Sequence, residues 1–298
     1  MATLQDIRRK ISAVKKTQQI TKAMNMVAAA KLRGAQTRME NFRPYAEAFS
    51  LMLRNLASGV EPEIHPFFQK AEEVTKVGLV LMTADRGLCG SFNVNLINAA
   101  YKFMQAKEAE GIQTTLTCVG RKGRDFYRRR QADMARFFVD VWNNFDYTSA
   151  VAVGRDVMSD FMSGEVQEVY LIHAQFINVA IQKPYMVKLL PIEPEAAAET
   201  GETETEEAAG AGAEYIFEPP LAQFLEYLLP KYLNTVVYHG FLENAASEHA
   251  ARMTAMDNAS NNCKDMITNL TLVMNKARQA AITKELMDIV GGAEALKG

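Results

Sequence analysis

LQDIRRKISAVKKTQQITKAMNMVAAAKLRGAQTRMENF, from Leu4 to Phe42, contains no proline and one glycine, Gly34. Thr3 precedes it and Asp6 follows three residues later, the spacing of a reciprocal capping pair at a helix start. Apolar or small residues recur at three- and four-residue steps: Leu4, Ile7, Ile11 and Val14, then Ala28, Leu32, Ala35, Met39 and Phe42. That spacing is one face of a long helix. The middle of the stripe is polar, at Gln18, Thr21 and Asn25. Ile20, Met24 and Val27 offer the apolar face there, so the stripe is expected to drift around the helix. After Pro44 the pattern resumes through Leu51, Leu53 and Leu56 and stops near Gly59 and Pro62.

The other end of the chain reads the same way. Pro219 and Pro220 open a helical segment from Leu221 and Gly291-Gly292 close it. Pro230 falls inside and is expected to kink or break it. Met253, Met256, Ser260, Cys263, Ile267, Leu270, Met274, Ala277 and Ala281 form its stripe, small enough for close packing on a second helix. At 1.5 Å per residue the first helix would reach ~80 Å and the last ~100 Å. A globule of this chain length is only roughly 50 Å across. The two ends are therefore expected to pair as an antiparallel coiled coil. The last helix, being the longer, should carry the far tip.

Between them the pattern shifts to short strands and helices. KVGLVLMT, TTLTCVG and FFVDVW read as strands. NVNLINAAYKFMQAKEAEG, GRDFYRRR and TSAVAVGRDVMSDFMSG read as the intervening helices. EVQEVYLIHAQF and VAIQKPYMVKLLPI read as two longer, paired strands. This alternation predicts βαβ units and an open, largely parallel sheet.

The chain has 298 residues, 48% hydrophobic and 23% charged, with a net charge of −2. The average excludes a uniformly basic nucleic-acid binder, and the chain has no apolar run long enough to span a membrane. MATLQDIRRKISAVKK has no apolar stretch of signal-peptide type, and its basic, amphipathic character runs unbroken into the helix, so it reads as mature protein. Three cysteines without a C-x-x-C pair argue against a disulfide framework or a zinc site and for a reducing compartment. The charges are segregated. Ten Lys/Arg against two acids give Met1–Arg43 a charge of +8, and a second basic cluster spans Arg121–Arg136. Nine Glu and no Lys or Arg lie between Glu193 and Glu218. Glu195 to Glu214 lacks large apolar residues and is expected to be a mobile loop.

The search for chemistry is mostly negative. ADRGLCGSFN follows a strand and precedes a helix, where phosphate loops sit, yet it has neither the Gly-Lys-Ser/Thr of a P-loop nor the spacing of a dinucleotide fingerprint. Gly87 and Gly90 are better explained by a tight turn, and Cys89 by packing. His65, His173, His239 and His249 form no motif. No catalytic residue, metal ligand or cofactor site is expected. The basic first helix suits phosphates, an acidic protein partner or plain solvation. A basic coiled-coil scaffold or nucleic-acid-binding protein is the alternative reading.

Four blocks together resemble the gamma subunit of F-type ATP synthases: IRRKISAVKKTQQITKAMNMVAAAKL (Ile7–Leu32), DRGLCGSFN (Asp85–Asn93), ENAASEHAARMTAMDNASNN (Glu243–Asn262) and ITKELMDIVGGAEA (Ile282–Ala295). The last is the most specific, with Ile282, Thr283, Glu285, Asp288, Gly292 and Ala293 at the family's signature positions. The resemblance implies an α/β protein: an antiparallel coiled coil of the terminal helices plus a Rossmann-like open α/β domain. It implies a rotary central stalk, one copy per complex, turning inside a ring of three alpha and three beta subunits. With the epsilon subunit it would stand on the membrane c ring, peripheral to the cytoplasmic face of the bacterial plasma (inner) membrane. It would be no enzyme by itself and bind no nucleic acid, because catalysis belongs to beta. The family pattern implies ring contacts at Arg278, Gln279, Thr283, Glu285 and Asp288. Lys22 and Met24 are expected at a comparable height on the opposing helix, and Arg252 in the same network. Tyr215, Phe217 and Glu218 would meet the c ring and epsilon. The expected division is residues 1–60 for the first coiled-coil helix, 74–194 for the α/β domain, 195–214 for the acidic loop and 215–298 for the last helix. No two cysteines are close in sequence, so the thiol regulation of photosynthetic members is not expected.

Overall fold

The computed structural model describes residues 3–57, 62–192 and 220–295. A helix α1 (Leu4–Ala57) opens the chain and a helix α5 (Leu221–Ala295) ends it. Between them run β1 (Lys76–Met82), α2 (Phe92–Ala109), β2 (Gln113–Val119), α3 (Arg121–Arg128), β3 (Met134–Phe138), α4 (Tyr147–Met162), β4 (Glu168–Phe176) and β5 (Gln182–Leu190). The chain divides into two units, one of residues 1–29 with 252–298, the other of residues 30–251.

In the larger unit the sheet runs β3-β2-β1-β4-β5. The first four strands are parallel and β5 returns antiparallel to β4. β1 is buried along almost its whole length, as a central parallel strand must be. Leu79, Leu81, Leu116, Cys118 and Ile172 bury one face of the sheet with Phe92, Leu96 and Ala100 of α2 and Tyr127 of α3. The Tyr127 hydroxyl donates to the Ile97 carbonyl at 2.9 Å, so this large side chain is buried with its polar end satisfied. Cys118 lies deep in the same cluster, and burial pushes its thiol up to about 12. It is a packing residue and no thiolate at neutral pH.

α5 enters this unit at the level of β4. Gly240 lets the helix close on Leu171, His173 and Met82, where a Cβ would stand 3.2 Å from a Leu171 methyl. Opposite Ala174 in the β4–β5 ladder stands Pro184, which has no N–H to offer. α5 serves the Ala174 backbone: Asn244 Oδ1 accepts its N–H at 3.1 Å and Ser247 Oγ donates to its carbonyl at 3.3 Å. Within the same unit Phe42 of α1 meets Tyr238 of α5 and Phe49 meets Tyr232. The position rises along α1 as it falls along α5, so the helices are antiparallel, as expected.

Three expectations need correction. Pro230 does not break α5, which is continuous from Leu221 to Ala295. The carbonyl a proline leaves without a donor is that of residue i−4, here exposed Glu226, which water can serve. Pro44 inside α1 is tolerated for the same reason, because Glu40 is exposed. FFVDVW is a strand only through Phe138. Asp140 takes a left-handed φ of 61° and Val141–Asn143 form a 3-10 turn, which carries Trp142 away from the sheet. The third correction concerns the α1 stripe and belongs to the smaller unit. The acidic segment 195–214 lies outside the described residues.

Candidate functional site

The smaller unit is built from two helix ends. Thr3 and Asp6 cap the first as their spacing predicts. Thr3 Oγ1 donates to Asp6 Oδ2 at 2.7 Å, and the Asp6 N–H donates back to Thr3 Oγ1 at 3.2 Å. The Thr3 hydroxyl, then its backbone N–H, holds the Asp6 carboxyl below its usual range. All nine residues of the predicted α5 stripe, Met253 through Ala281, are buried or half-buried. On α1 the inward line is Leu4, Ile7, Ile11, Val14, Gln18, Thr21, Asn25 and Ala28. Of the residues expected to carry a drifting stripe, only Met24 is half-buried. Gln18, Thr21 and Asn25 keep the inward positions, while Ile20 and Val27 are 59% and 58% exposed. A polar residue holds such a position when it finds a partner. The Asn25 amide donates to the Met253 carbonyl at 2.8 Å across the pair.

That bond fixes the register, and the register decides what can act together. Lys22 and Met24 stand within about 5 Å of the Asn25–Met253 level along the axis, whereas Arg278 stands about 37 Å away at 1.5 Å per residue. The expectation that Lys22 and Met24 lie at the height of Arg278, Gln279 and Thr283 is therefore overturned. They share their level with Met256 and Arg252. Helix ends pair by contact register, which residue types alone do not encode. The eight residues form two groups: Lys22, Met24 and Arg252 at one level, and Arg278, Gln279, Thr283, Glu285 and Asp288 further along α5. Met24 and Arg252 are half-buried and the other six are exposed. Tyr215, Phe217 and Glu218 lie outside the described residues.

The same register sets Leu4 opposite Met274, and both are half-buried. α5 therefore runs on past the start of α1 by about 27 Å to Gly292. Every residue from Ile282 to Gly292 is exposed. Five of them are large and apolar: Ile282, Leu286, Met287, Ile289 and Val290, with Met287 and Ile289 more than two-thirds exposed. Leaving that much apolar surface in water costs roughly 25 cal/mol per Å², so such a surface marks a contact. The outward flank of α1 is basic: Arg8, Arg9, Lys10, Lys15, Lys16 and Lys22 are all exposed.

The larger unit holds the other sequence candidates. The loop after β1 turns through left-handed Leu88 (φ 65°) and Gly90 (φ 57°), and only Gly90 of its two glycines takes that conformation. Asn93 fills the loop: its Oδ1 accepts the Ala84 N–H at 2.9 Å, and its Nδ2 reaches Cys89 Sγ at 3.1 Å. Cys89 is buried. His65 caps a short turn by accepting the Phe67 N–H. His173, buried, and His239, half-buried, lie on either side of Glu243, at 4.0 and 3.9 Å. Burial pushes both imidazoles down to about 4; His239 reinforces this at His173, and Arg43 at His239. Three of the seven Lys/Arg in the cluster Arg121–Arg136 are ion-paired within their own unit. Arg121 binds Asp140, Arg124 binds Asp125, Arg136 binds Asp160 and Asp156, and Arg130 stacks over Phe126.

Sequence reasoning missed a set of rings gathered from α1, the β3–α4 connection and α5. Phe42, Phe145 and Tyr238 are more than ninety residues apart in the chain, and no local pattern links them.

A family model described as ATP synthase matches residues 3–296. The chain is 50% identical to the ATP synthase gamma chain of Maridesulfovibrio salexigens over 298 residues, the whole of both chains. It is 53% identical to that of Syntrophobacter fumaroxidans, again over the whole of both. Among solved structures it is similar to a chain of the central stalk and c ring of the Tetrahymena thermophila mitochondrial ATP synthase. That match has a TM-score of 0.62 at 27% identity and covers 81% of this chain and 99% of that one. A chain of the Euglena gracilis mitochondrial ATP synthase shares the fold with a TM-score of 0.67 at 21% identity, over 98% and 94% of the two chains.

Proposed function

The chain belongs to the ATP synthase gamma-chain family, and from that premise we propose how its surfaces serve the central stalk of a rotary ATP synthase. It is a non-catalytic stalk subunit of a membrane-associated complex. The overrunning end of α5, exposed and apolar from Ile282 to Val290, is the observation that carries the reading. It sits as a bearing inside the ring of three alpha and three beta subunits. Arg278, Gln279, Thr283, Glu285 and Asp288 meet the loops of that ring near the tip, and Lys22, Met24 and Arg252 meet it at a second level about 33 Å or more away along the axis. One shaft without threefold symmetry faces three beta subunits, so each meets a different face at any moment. A face shifts a conformational equilibrium only by its difference in affinity for the two states, and the shaft supplies that difference in turn.

At the other end, Tyr215, Phe217 and Glu218 dock on the c ring beside the epsilon subunit, on the cytoplasmic face of the bacterial inner membrane. Residues 1–60 and 215–298 are the shaft, 74–194 the globular foot, and 195–214 an insertion whose polar composition is tolerated at the surface. Reconstitution tests the reading. Alpha and beta subunits mixed with the full chain should give ATP hydrolysis that the chain alone lacks. Removal of the residues after Ala281 should weaken that activation. Unchanged activation by the truncated chain would remove the tip from the mechanism.

A further inference from the structure

The larger unit holds α5 in two ways: Leu233, Val237 and Phe241 are buried in it, and Asn244 and Ser247 bond Ala174 of its sheet. α1 meets that fixed structure through rings. Phe42 stands edge-on to Tyr238 at 4.8 Å, and Phe49 stacks on Tyr232 at 6.1 Å. Tyr238 continues to Phe145 at 6.3 Å, which stacks on Phe241 at 5.7 Å, and Trp142 closes the group against Phe241 at 5.2 Å. The Arg38 guanidinium of α1 lies over the Phe145 ring, 5.0 Å from its centre. Phe145 is buried and belongs to the β3–α4 connection, so Arg38 joins α1 to the α/β domain without passing through α5.

Two parallel rods resist twisting about each other only where something fixes both to a common body. Aromatic pairs and a cation over a ring add to the attraction beyond the area they bury. Their geometry is directional, so rotating α1 about its axis loses them, whereas a smooth apolar contact would slide.

We propose that Arg38 and Phe145, backed by Tyr238 and Phe241, are torque-positioning residues that lock α1 to the α/β domain and to α5 when the stalk is loaded. The proposal rests on the rotor reading above and concerns the stiffness of the shaft. These residues touch no nucleotide and leave the chemistry to the ring.

The test uses the assembled complex. Cys263→Ser removes the partly exposed cysteine, Thr283→Cys is oxidatively linked to a cysteine in beta, and a bead is attached through Lys102→Cys on the exposed face of α2. With the head locked, the angular variance of the bead reports the compliance of the shaft. Arg38→Met and Phe145→Leu should both widen that variance, Phe145→Leu more. Arg33→Met, an exposed cation change on the same helix, should not. Arg38 is exposed, so its variant keeps the test valid if Phe145→Leu fails to fold. Equal variance in Arg38→Met and the parent would overturn the lock and assign the torque to the α5–sheet contact alone. A bead that rotates freely with Thr283→Cys linked would instead overturn the rotor reading itself.

Discussion

Gly120, between β2 and α3, holds a φ of 110°, a region that L side chains rarely enter. A Cβ there would lie 1.9 Å from the Thr83 carbonyl oxygen and 2.8 Å from its hydroxyl. Neither neighbour can step aside cheaply. The Thr83 N–H donates to the Val119 carbonyl at 2.7 Å, and Thr83 Oγ1 accepts the Gly123 N–H at 2.9 Å. Gly120 in turn donates to the Phe138 carbonyl at 2.7 Å, which ties β2 to the end of β3. Gly120→Ala therefore incurs about 1–3 kcal/mol of backbone strain. Each buried hydrogen bond it breaks costs about 1–3 kcal/mol more. With two such bonds lost the total is about 3–9 kcal/mol, comparable to the whole stability of an ordinary domain. Gly164→Ala is the control. Its φ is 76° and nothing stands within 4 Å of the added carbon, so its cost is the left-handed penalty of roughly 1–2 kcal/mol. Urea unfolding of the full chain, followed through Trp142, the chain's one tryptophan, reads both. Trp142 packs on Phe241 in the same unit and should lose that environment on unfolding. If Gly120→Ala costs no more than Gly164→Ala, the close approach of β1 and β2 described here is wrong.

Arg136→Met should cost about 1–3 kcal/mol in the same assay, because it strips the mostly buried Asp160 carboxylate of a two-pronged partner; Asp156→Asn, at a 3.5 Å contact, should cost less. His173 and His239 are held near 4 against an ordinary 6.5, so between those values the unfolded chain binds the more protons. Stability should be whole above pH 6.5 and fall as the pH drops towards 4, by up to ~3 kcal/mol for each imidazole at ~1.4 kcal/mol per pKa unit. Unfolding midpoints of His239→Gln and the parent at pH 7 and pH 5 measure this, and an identical fall in both would exclude His239 from the effect. Trimming Thr200 to Gly212 should leave assembly and coupled ATP synthesis nearly unchanged, since polar, Gly-rich segments tolerate changes of length. A trimmed chain that assembles but no longer couples would show a docking or regulatory role in those residues.

Some of this was legible because it is local. Thr3 and Asp6 form their cap at the spacing the sequence shows, and the Met253–Ala281 stripe faces inward at every position. Periodicity records which face is packed when that face is apolar. It misleads on α1, where Ile20 and Val27 look like core beside Gln18, Thr21 and Asn25. The opposing backbone at Met253 offers Asn25 a partner, and hydrophobicity does not register such a bond. The β1, β2 and β4 strands were legible as apolar runs. The end of β3 was not, because the left-handed Asp140 interrupts residues that read as strand. The relative heights of Lys22 and Arg278 depend on the register of two helices, and the contact of Arg38 with Phe145 on the whole fold. Neither is written in any short stretch of chain.

The most direct test of the central claim is the reversible lock. In a complex assembled with the Cys263→Ser, Thr283→Cys chain, oxidation should link α5 to a cysteine placed in a beta loop. ATP hydrolysis should fall to background as the link forms and return on reduction, since the ring cannot cycle its three beta subunits around a fixed shaft. Full turnover with the link quantitatively in place would contradict the account, because a shaft that need not turn is not a rotor.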